Sequence, residues 1–313
     1  MTPPKILSPT EAGIGEAAAR LAAGGLVAFA TETVYGLGAD ATNADAVARI
    51  YAAKGRPSFN PLIVHVASTR EAMDLAVFDD VAVRLAEAFW PGPLTLVLPL
   101  RASAGIARIV SAGQASIALR VPDHQIARSL IRRAARPIAA PSANPSGKIS
   151  PTRAEHVIQG LGGAVDAVLD AGPCRVGVES TILATGARPR LLRAGGLTLE
   201  TLENTLGHTI AQDTDPSMPE APGQLVSHYA PKAHLRLNAQ TARPGEVMIG
   251  FGPMKAELNL SASGDLTQAA ATLFDCLHAL DAMDARAAAV SPIPETGLGL
   301  AINDRLRRAA ADR

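Results

Sequence analysis

Two short polar motifs carry the side chains best suited to binding phosphate. In the first, Lys54 and Arg56 flank Gly55 just after a helical pattern, and prolines at 57 and 61 restrict the loop that follows. A rigid loop with two cations could clamp phosphate oxygens, because a guanidinium makes planar, bidentate contacts. A solvated charged turn is the alternative, and the spacing alone does not decide between the two.

The second motif holds Ser142 and Asn144, in a loop after the apolar run that ends at Ala140. Ligands of open α/β sheets gather at the carboxyl ends of strands, and the two side chains face the same way if the backbone is extended. Ser150-Pro151-Thr152 predicts a helix start, where free N–H groups favour anions. An Asx or proline turn explains these residues equally well.

Basic residues are concentrated between positions 120 and 153, where Asp123 is the only acid. Those on the predicted helix in this stretch are expected to form a solvated face. Arg120 lies within a predicted strand, where a buried guanidinium requires a partner, and a substrate carboxylate would serve. His65 also lies in a strand, and a lone histidine there is more often part of the core than a ligand.

Several common active-site patterns are absent or incomplete. Gly36–Ala41 match G-x-G-x-x-A, but the strand before them ends too early and no acid follows at the required distance. We therefore interpret these glycines as turn glycines in a loop. The sequence has no P-loop, no G-x-S-x-G and no H-E-x-x-H, and its two cysteines exclude multi-cysteine zinc patterns. A Walker-type NTPase, a serine hydrolase and a dedicated zinc site are not expected.

The elements that must position these side chains alternate between strands and helices. Continuous apolar runs predict buried strands, and periodic patterns predict helices between them. Ser8-Pro9 predicts the cap and first turn of an N-terminal helix. The alternation predicts an α/β sheet with flanking helices. The predicted strands are 26–30, 62–66, 94–100, 117–121 and 138–140, with antiparallel additions at 178–184 and 190–192, and the main helices are 43–53, 80–89, 123–135 and 153–160.

Length and charge limit the possible classes further. The 313 residues predict two domains or one domain with an appendage. With 29 basic and 29 acidic residues, the chain is not expected to coat nucleic acid through bulk charge. No apolar run approaches the ~18 residues of a membrane span, and the N-terminus does not read as a signal peptide. We expect a cytoplasmic protein that does not bind membranes.

Taken together, four segments resemble the YrdC/Sua5 family of threonylcarbamoyl-AMP synthases. The resemblance implies a YrdC-like twisted mixed α/β sheet with flanking helices, followed by a small C-terminal α/β domain of Rossmann-like form. It implies a catalytic domain at 1–207, a linker or lid at 208–232 and a Sua5 domain at 233–313. The segments are 31–37, 54–57 with 61–66, 142–147 and the linker stretch 222–231.

The resemblance also implies a reaction. Such enzymes combine L-threonine, bicarbonate and ATP into threonylcarbamoyl-AMP and pyrophosphate, and another enzyme then modifies adenosine 37 of tRNAs reading ANN codons. ATP would bring Mg²⁺ with it, no tightly bound cofactor or protein-built metal site is expected, and tRNA would be involved only indirectly. The step requires positioning, charge neutralisation and exclusion of water rather than a protein nucleophile.

Residue roles follow from the matched motifs. Arg120 would pair with the threonine carboxylate, Lys54 would neutralise phosphate charge, and the linker would deliver Tyr229. The implied catalytic group is Lys54, Arg56, Ser142 and Asn144. The implied contacts of threonine and the carbamoyl group are Thr33, His65, Arg120, Ser142 and Ser180. The implied contacts of ATP are Lys54, Arg56, Asn60, Ser116, Asn144, Thr152, Arg193 and Tyr229.

Two other functions stay open at this point. An RNA-binding module could use the basic stretch 120–153, although neutrality and an aromatic content of 3% oppose it. A maturation factor built on the same fold could instead use carbamoyl phosphate as its carbamoyl donor.

Overall fold

The computed structural model describes residues 3–212 and 228–311. Positions 222–227 of the predicted linker motif lie outside the described residues. Nine helices are formed within the described ranges: α1 (Glu11–Ala22), α2 (Ala44–Lys54), α3 (Thr69–Leu75), α4 (Asp80–Phe89), α5 (Gln125–Ala134), α6 (Ala154–Leu161), α7 (Leu199–Leu206), α8 (Leu266–Ala282) and α9 (Leu298–Ala310).

Strands from the first two-thirds of the chain form one large mixed sheet. Its order is β1-β8-β2-β3-β7-β4-β6-β5-β9-β10-β11, with parallel and antiparallel neighbours. The strands are β1 (Lys5–Leu7), β2 (Val27–Phe29), β3 (Gly36–Asp40), β4 (Ile63–His65), β5 (Leu94–Pro99), β6 (Ser116–Arg120), β7 (Ile138–Ala139), β8 (Ala167–Leu169), β9 (Thr181–Ala184), β10 (Arg190–Arg193) and β11 (Ala211–Gln212).

The C-terminal strands form a second, smaller sheet in which each described pairing is parallel. Its order is β12-β15-β13-β14, and helices α8 and α9 pack with it. Parallel neighbours need crossover connections, which places a helix against the sheet. The strands are β12 (His234–Arg236), β13 (Glu246–Gly250), β14 (Leu258–Asn259) and β15 (Ala287–Val290).

Apolar side chains bury both faces of the large sheet. One cluster includes Val47 of α2 and Leu85 of α4, and another joins Leu21 of α1 to Leu130 of α5. The continuous apolar runs therefore form strands covered on two sides, as predicted from their lack of alternation. In the described ranges, no helix combines the length and the apolarity that crossing a membrane requires.

Strand β3 contradicts the interpretation of Gly36–Ala41 as a loop. All five residues of the strand are buried between β2 and β7. A Cβ atom added to Gly38 would lie 2.8 Å from Phe29 Cε1 and 3.0 Å from Ile138 Cγ2. The glycine is therefore required by side chains packed over the strand, not by a turn.

The predicted cap of the first helix is also wrong. Thr10, not Ser8, is the N-cap, and its hydroxyl accepts a hydrogen bond from Gly13 N at 3.3 Å. The backbone stays extended through Thr10, so the helix begins at Glu11, and Pro9 precedes it instead of forming its first turn.

Candidate active site

A turn between β2 and β3 supplies the first site residues. The Thr31 hydroxyl donates to Val34 O at 2.7 Å and accepts from Thr33 N at 3.2 Å, so the turn is held by its own side chain. Both threonines line a small buried cavity. Glu32, between them, points elsewhere and is fully buried.

One face of strand β4 lines the same cavity. Ile63 and His65 both border the cavity, while Val64 between them faces the core. His65 stands in register with Arg120 of β6, and that side chain reaches the cavity as well. Burial and the neighbouring Arg120 charge lower the pKa of His65 to about 3, so its imidazole is neutral at physiological pH.

The cavity brings most of the predicted threonine site together. Its volume is about 40 Å³. Of the predicted residues, those in its lining are Thr33, Arg56, His65, Arg120, Ser142, Ser180, Arg193 and Tyr229. Together with Thr31, the lining thus has three guanidinium groups and five hydroxyl-bearing side chains. Such a set suits a substrate with a carboxylate and phosphate groups.

Lys54 joins the two polar motifs directly. It is the last residue of α2, and Gly55 ends the helix in the left-handed conformation at φ 59°. Its buried ammonium donates to Ser142 O at 2.6 Å and also to Asn144 O. Burial and the charge of Arg56 hold the pKa of Lys54 well below its usual value. Lys54 thus contacts Ser142, which lines the cavity, but Lys54 itself is not one of the lining residues.

Arg56 is fixed by the loop that follows it. Its Nη2 donates to Asn60 Oδ1 at 2.6 Å and to Pro61 O at 2.9 Å. Burial lowers the pKa of Arg56 to about 10, which leaves the guanidinium charged at neutral pH. The alternative of a solvated charged turn is therefore wrong, because both Lys54 and Arg56 are buried.

Ser142 and Asn144 do not face the same cavity, contrary to the expectation for an extended backbone. Asn144 Nδ2 donates to Pro145 O at 2.9 Å and Lys148 O at 2.8 Å, so the loop folds back on itself. Ser142 lines the small cavity, whereas Asn144 lines a second one of about 420 Å³ between the two domains. Asn144 Oδ1 accepts no hydrogen bond from any residue that the structure describes.

Ser116 and Thr152, two other residues predicted to contact the nucleotide, also lie outside the lining of the small cavity. Ser116 begins β6 and Arg120 ends it, which separates them by about 13 Å at the usual rise of a strand. Thr152 is buried and donates to Asp275 Oδ1 of α8. Together with Asn60, which contacts Arg56, these residues keep their nucleotide roles as predictions.

Ser180 and Arg193 form the opposite wall. Arg193 Nη2 donates to Ser180 O at 2.9 Å and to Ser180 Oγ at 3.2 Å. Ser180 Oγ lies 2.7 Å from the Thr95 hydroxyl, so it is fixed from both sides. Strands β9 and β10 pair antiparallel to each other, as predicted, but β9 joins the sheet parallel to β5, so its prediction as an antiparallel addition is wrong in that respect.

The C-terminal domain closes the cavity through the end of the linker. Tyr229 is buried, adopts a left-handed backbone at φ 62°, and packs 5.5 Å from Phe274 of α8. The Cζ atom of Arg305, on α9, lies 5.4 Å from the centre of the Tyr229 ring. Arg305 Nε also donates to Glu179 Oε2 at 3.0 Å.

Reasoning from sequence missed several residues around this site. Thr31, Glu32 and His228 stand beside predicted residues within the quoted motifs, and Glu179 precedes Ser180, so adjacency was their only signal. Arg305 has no sequence signal, because its partners lie far away in the chain. Within 3–212 and 228–311, no three histidine, cysteine or acidic side chains are grouped as metal ligands.

Comparison with known proteins identifies the family. A model for Sua5, YciO and YrdC sequences, described as telomere recombination, matches residues 19–195. A second model, described as the C-terminal domain of threonylcarbamoyl-AMP synthase, matches 197–311. The chain belongs to the Sua5/YrdC family. The resemblance inferred from the four motifs is thereby confirmed.

Named relatives and solved structures match this chain over almost its whole length. A threonylcarbamoyl-AMP synthase of Bacillus subtilis is 43% identical, over 98% of this chain and 95% of the relative. The crystal structure of Pyrococcus abyssi Sua5 complexed with L-threonine has a TM-score of 0.90, at 39% identity and 97% coverage of both chains. A P. abyssi Sua5 variant, with a histidine and the adjacent tyrosine replaced by alanine, also has a TM-score of 0.90, at 38% identity and 99% and 96% coverage. The predicted two-part fold is confirmed.

Proposed function

We propose that this chain makes threonylcarbamoyl-AMP and pyrophosphate from L-threonine, bicarbonate and ATP. The observation that carries the proposal is the convergence of Arg56, Arg120 and Arg193 on one buried cavity that also holds threonine and serine hydroxyls. Similarity to named synthases over nearly the full length supports it. A separate enzyme would transfer the threonylcarbamoyl group to adenosine 37 of tRNAs that read ANN codons, so tRNA would be a partner only indirectly.

The proposed chemistry needs two bond-forming steps. The neutral threonine amine attacks the carbon of CO₂ and loses a proton to give a carbamate; when bicarbonate is attacked directly, a carbon–oxygen bond breaks and water leaves. A carbamate oxygen then attacks the α-phosphorus of ATP, the bond to the β-phosphate bridging oxygen breaks, and pyrophosphate leaves. Arg120 would hold the threonine carboxylate and neutral His65 would border the amino acid. Arg56, Lys54 and Arg193 would offset the charge of the phosphates.

The small volume of the cavity explains why a lid is part of the proposal. About 40 Å³ is far below the roughly 300–1,000 Å³ of a typical ligand pocket. His228 and Tyr229 occupy one side of it and belong to the segment 208–232. We propose that these side chains withdraw to admit ATP and return to exclude water from the mixed anhydride. ATP would bring Mg²⁺ with it.

Cysteine usage supports a cytoplasmic location for the reaction. Cys174 and Cys276 are both free thiols, and burial raises the pKa of each. Stable free thiols are typical of a reducing compartment.

The proposal is tested with the full chain, ATP, L-threonine and labelled bicarbonate. We expect pyrophosphate and a labelled adenylate that form only when threonine is present, and Arg120→Gln should abolish this threonine-dependent product. Pyrophosphate release without threonine, or no labelled product, would contradict the proposal. Turnover with carbamoyl phosphate would favour the maturation factor instead, and tight, salt-sensitive RNA binding would favour the RNA-binding module.

A further inference from the structure

The guanidinium of Arg120 already has an acidic partner within the protein. Arg120 Nη2 lies 2.7 Å from Glu32 Oε1, and neither side chain is exposed by more than 4%. The sequence had suggested that a substrate carboxylate would neutralise this buried arginine. In the structure, Glu32 does so, and it is not part of the cavity lining to which Arg120 belongs.

The backbone around Glu32 is fixed on both sides. Its carbonyl accepts a hydrogen bond from Val176 N at 2.8 Å. The preceding residue, Thr31, holds the turn through its own hydroxyl, which contacts Thr33 and Val34. The carboxylate is therefore presented to Arg120 by a rigid turn, whose flanking threonines face the cavity.

The pair leaves hydrogen-bonding capacity unused. Both carboxylate oxygens of Glu32, and Nε and Nη2 of Arg120, lack a hydrogen-bond partner among the described residues, so the 2.7 Å contact is an ion pair and not an aligned hydrogen bond. A guanidinium has five N–H donors, so contact with Glu32 through one nitrogen leaves others for a second carboxylate. A buried arginine without a counter-ion would turn towards any available acceptor, and its planar fork would lose a defined orientation.

We infer that Glu32 is a positioning residue that orients Arg120 for the carboxylate of L-threonine. This inference rests on the proposed function and deepens it. Glu32 does not touch the substrate; it holds the guanidinium so that the remaining donors face the cavity. Selectivity for an α-carboxylate thus depends on two residues: Glu32, on the turn after β2, and Arg120, at the end of β6.

The test compares Glu32→Gln with the wild-type full chain. We expect the KM for threonine to rise about tenfold or more, with kcat within about threefold and the KM for ATP within about twofold. L-Threoninol, which has an alcohol in place of the carboxylate, should inhibit both proteins with the same Ki to within about twofold. Only the loss of carboxylate recognition raises the KM for threonine while leaving the Ki of threoninol unchanged.

Asp40→Asn is the matched control. Asp40 is also a buried carboxylate paired with an arginine, Arg136 at 3.2 Å, but it lies outside the cavity. The Asp40→Asn variant should be less stable than the wild type, with no change in its KM for threonine. If threonine KM and threoninol Ki rise together in Glu32→Gln, or if threonine KM is unchanged, the inference is overturned.

Two further measurements keep the test decisive. Should Glu32→Gln fail to fold, Glu32→Asp keeps the charge but withdraws the carboxylate by one methylene, and a wild-type threonine KM in that variant overturns the inference. Calorimetry of L-threonine binding in the absence of ATP measures threonine affinity separately from the reaction. If the wild type binds threonine but forms no adenylate, the proposed function fails, whereas an unchanged threonine Kd in the Glu32 variants overturns this inference alone.

Discussion

The ammonium of Lys54 satisfies two buried carbonyl groups, those of Ser142 and Asn144. Lys54→Met keeps the apolar stem but leaves both carbonyls without this donor. We expect the free energy of unfolding to fall by about 2–4 kcal/mol and turnover to fall by about 100-fold. Denaturant unfolding and pyrophosphate release measure the two effects.

Lys148→Met is the control for this prediction, because Lys148 is an exposed lysine six residues after Ser142. Its stability should change by less than about 0.5 kcal/mol. Equal stability of Lys54→Met and the wild type would show that the ammonium does not hold the two motifs together.

At the same scale, the family resemblance supplied eight residues that line one cavity. Lys54 and Asn144 belong to the matched motifs but lie outside that lining, whereas Ser180 and Arg193, which belong to none of the four segments, are part of it. Glu32, Glu179 and Arg305 escaped prediction because each depends on a contact across the fold. Arg305, for example, meets Glu179 over 126 positions of sequence. Asn144 departed from expectation because its own side chain folds the loop back.

Helix α9 acts on the active site from outside the catalytic sheet. Arg305 is completely buried, and its Nε contacts Glu179 Oε2, whose other oxygen accepts from Ser150 Oγ at 2.5 Å. Its Nη1 also donates to Ala194 O at 2.6 Å. The charges of Arg305 and Arg193 lower the pKa of Glu179 despite its burial. One helix of the C-terminal domain thus neutralises a carboxylate that lines the cavity.

We expect Arg305→Met to cost about 3–5 kcal/mol of unfolding free energy, because it leaves the Glu179 carboxylate buried without that partner. Glu179→Gln in the same chain should recover much of this loss. A double-mutant cycle by denaturant unfolding measures the coupling between the two residues. Strictly additive effects would show that the ion pair does not couple the domains. Arg307→Met, at an exposed position two residues away, is the control.

Elements with continuous apolar runs or clear helical periodicity were predictable from sequence, including β4, β6, α2, α4 and α5. Strand β3 was not, because two of its five residues are glycines that make room for Phe29 and Ile138. No local rule distinguishes such a glycine from a turn glycine. Strands β1 and β8 were not predictable either, because Lys5 begins the first and Asp166 and Asp170 flank the second, which interrupts a continuous apolar run.

Across the whole molecule, the two domains share one apolar cluster. Val34, Ile149 and Val178 of the large domain pack in a single core with Phe274 of α8 and Tyr229. Polar contacts surround it: Arg153 Nη2 donates to Asp275 Oδ2 at 2.8 Å. The C-terminal domain is therefore part of the structure that forms the site, and not an independent appendage.

Two histidines meet across this interface, and their titration should govern the acid stability of the docked state. The rings of His156 and His278 are stacked 3.7 Å apart. Burial and the charge of His278 lower the pKa of His156 to about 4, and burial also lowers the pKa of His278. The negative charge of Asp275 acts against the lowering of both pKa values, and Asp281 acts against that of His278. The positive charge of Arg153 lowers the pKa of His156 further.

Because both pKa values are lower in the folded protein, the unfolded chain binds more protons as the pH falls below about 6.5. The two histidines contribute their full stabilisation above that pH, and this stabilisation declines as the pH falls from about 6.5 towards 4. At pH 5 the loss is on the order of 1–2 kcal/mol. Replacing both histidines with glutamine should flatten the fall in Tm between pH 7 and 5, measured by calorimetry. Buried His65 and His228 keep part of the slope, since their pKa values are lowered as well. If the double variant keeps the wild-type fall in Tm between pH 7 and 5, protonation of the stacked pair does not control acid stability.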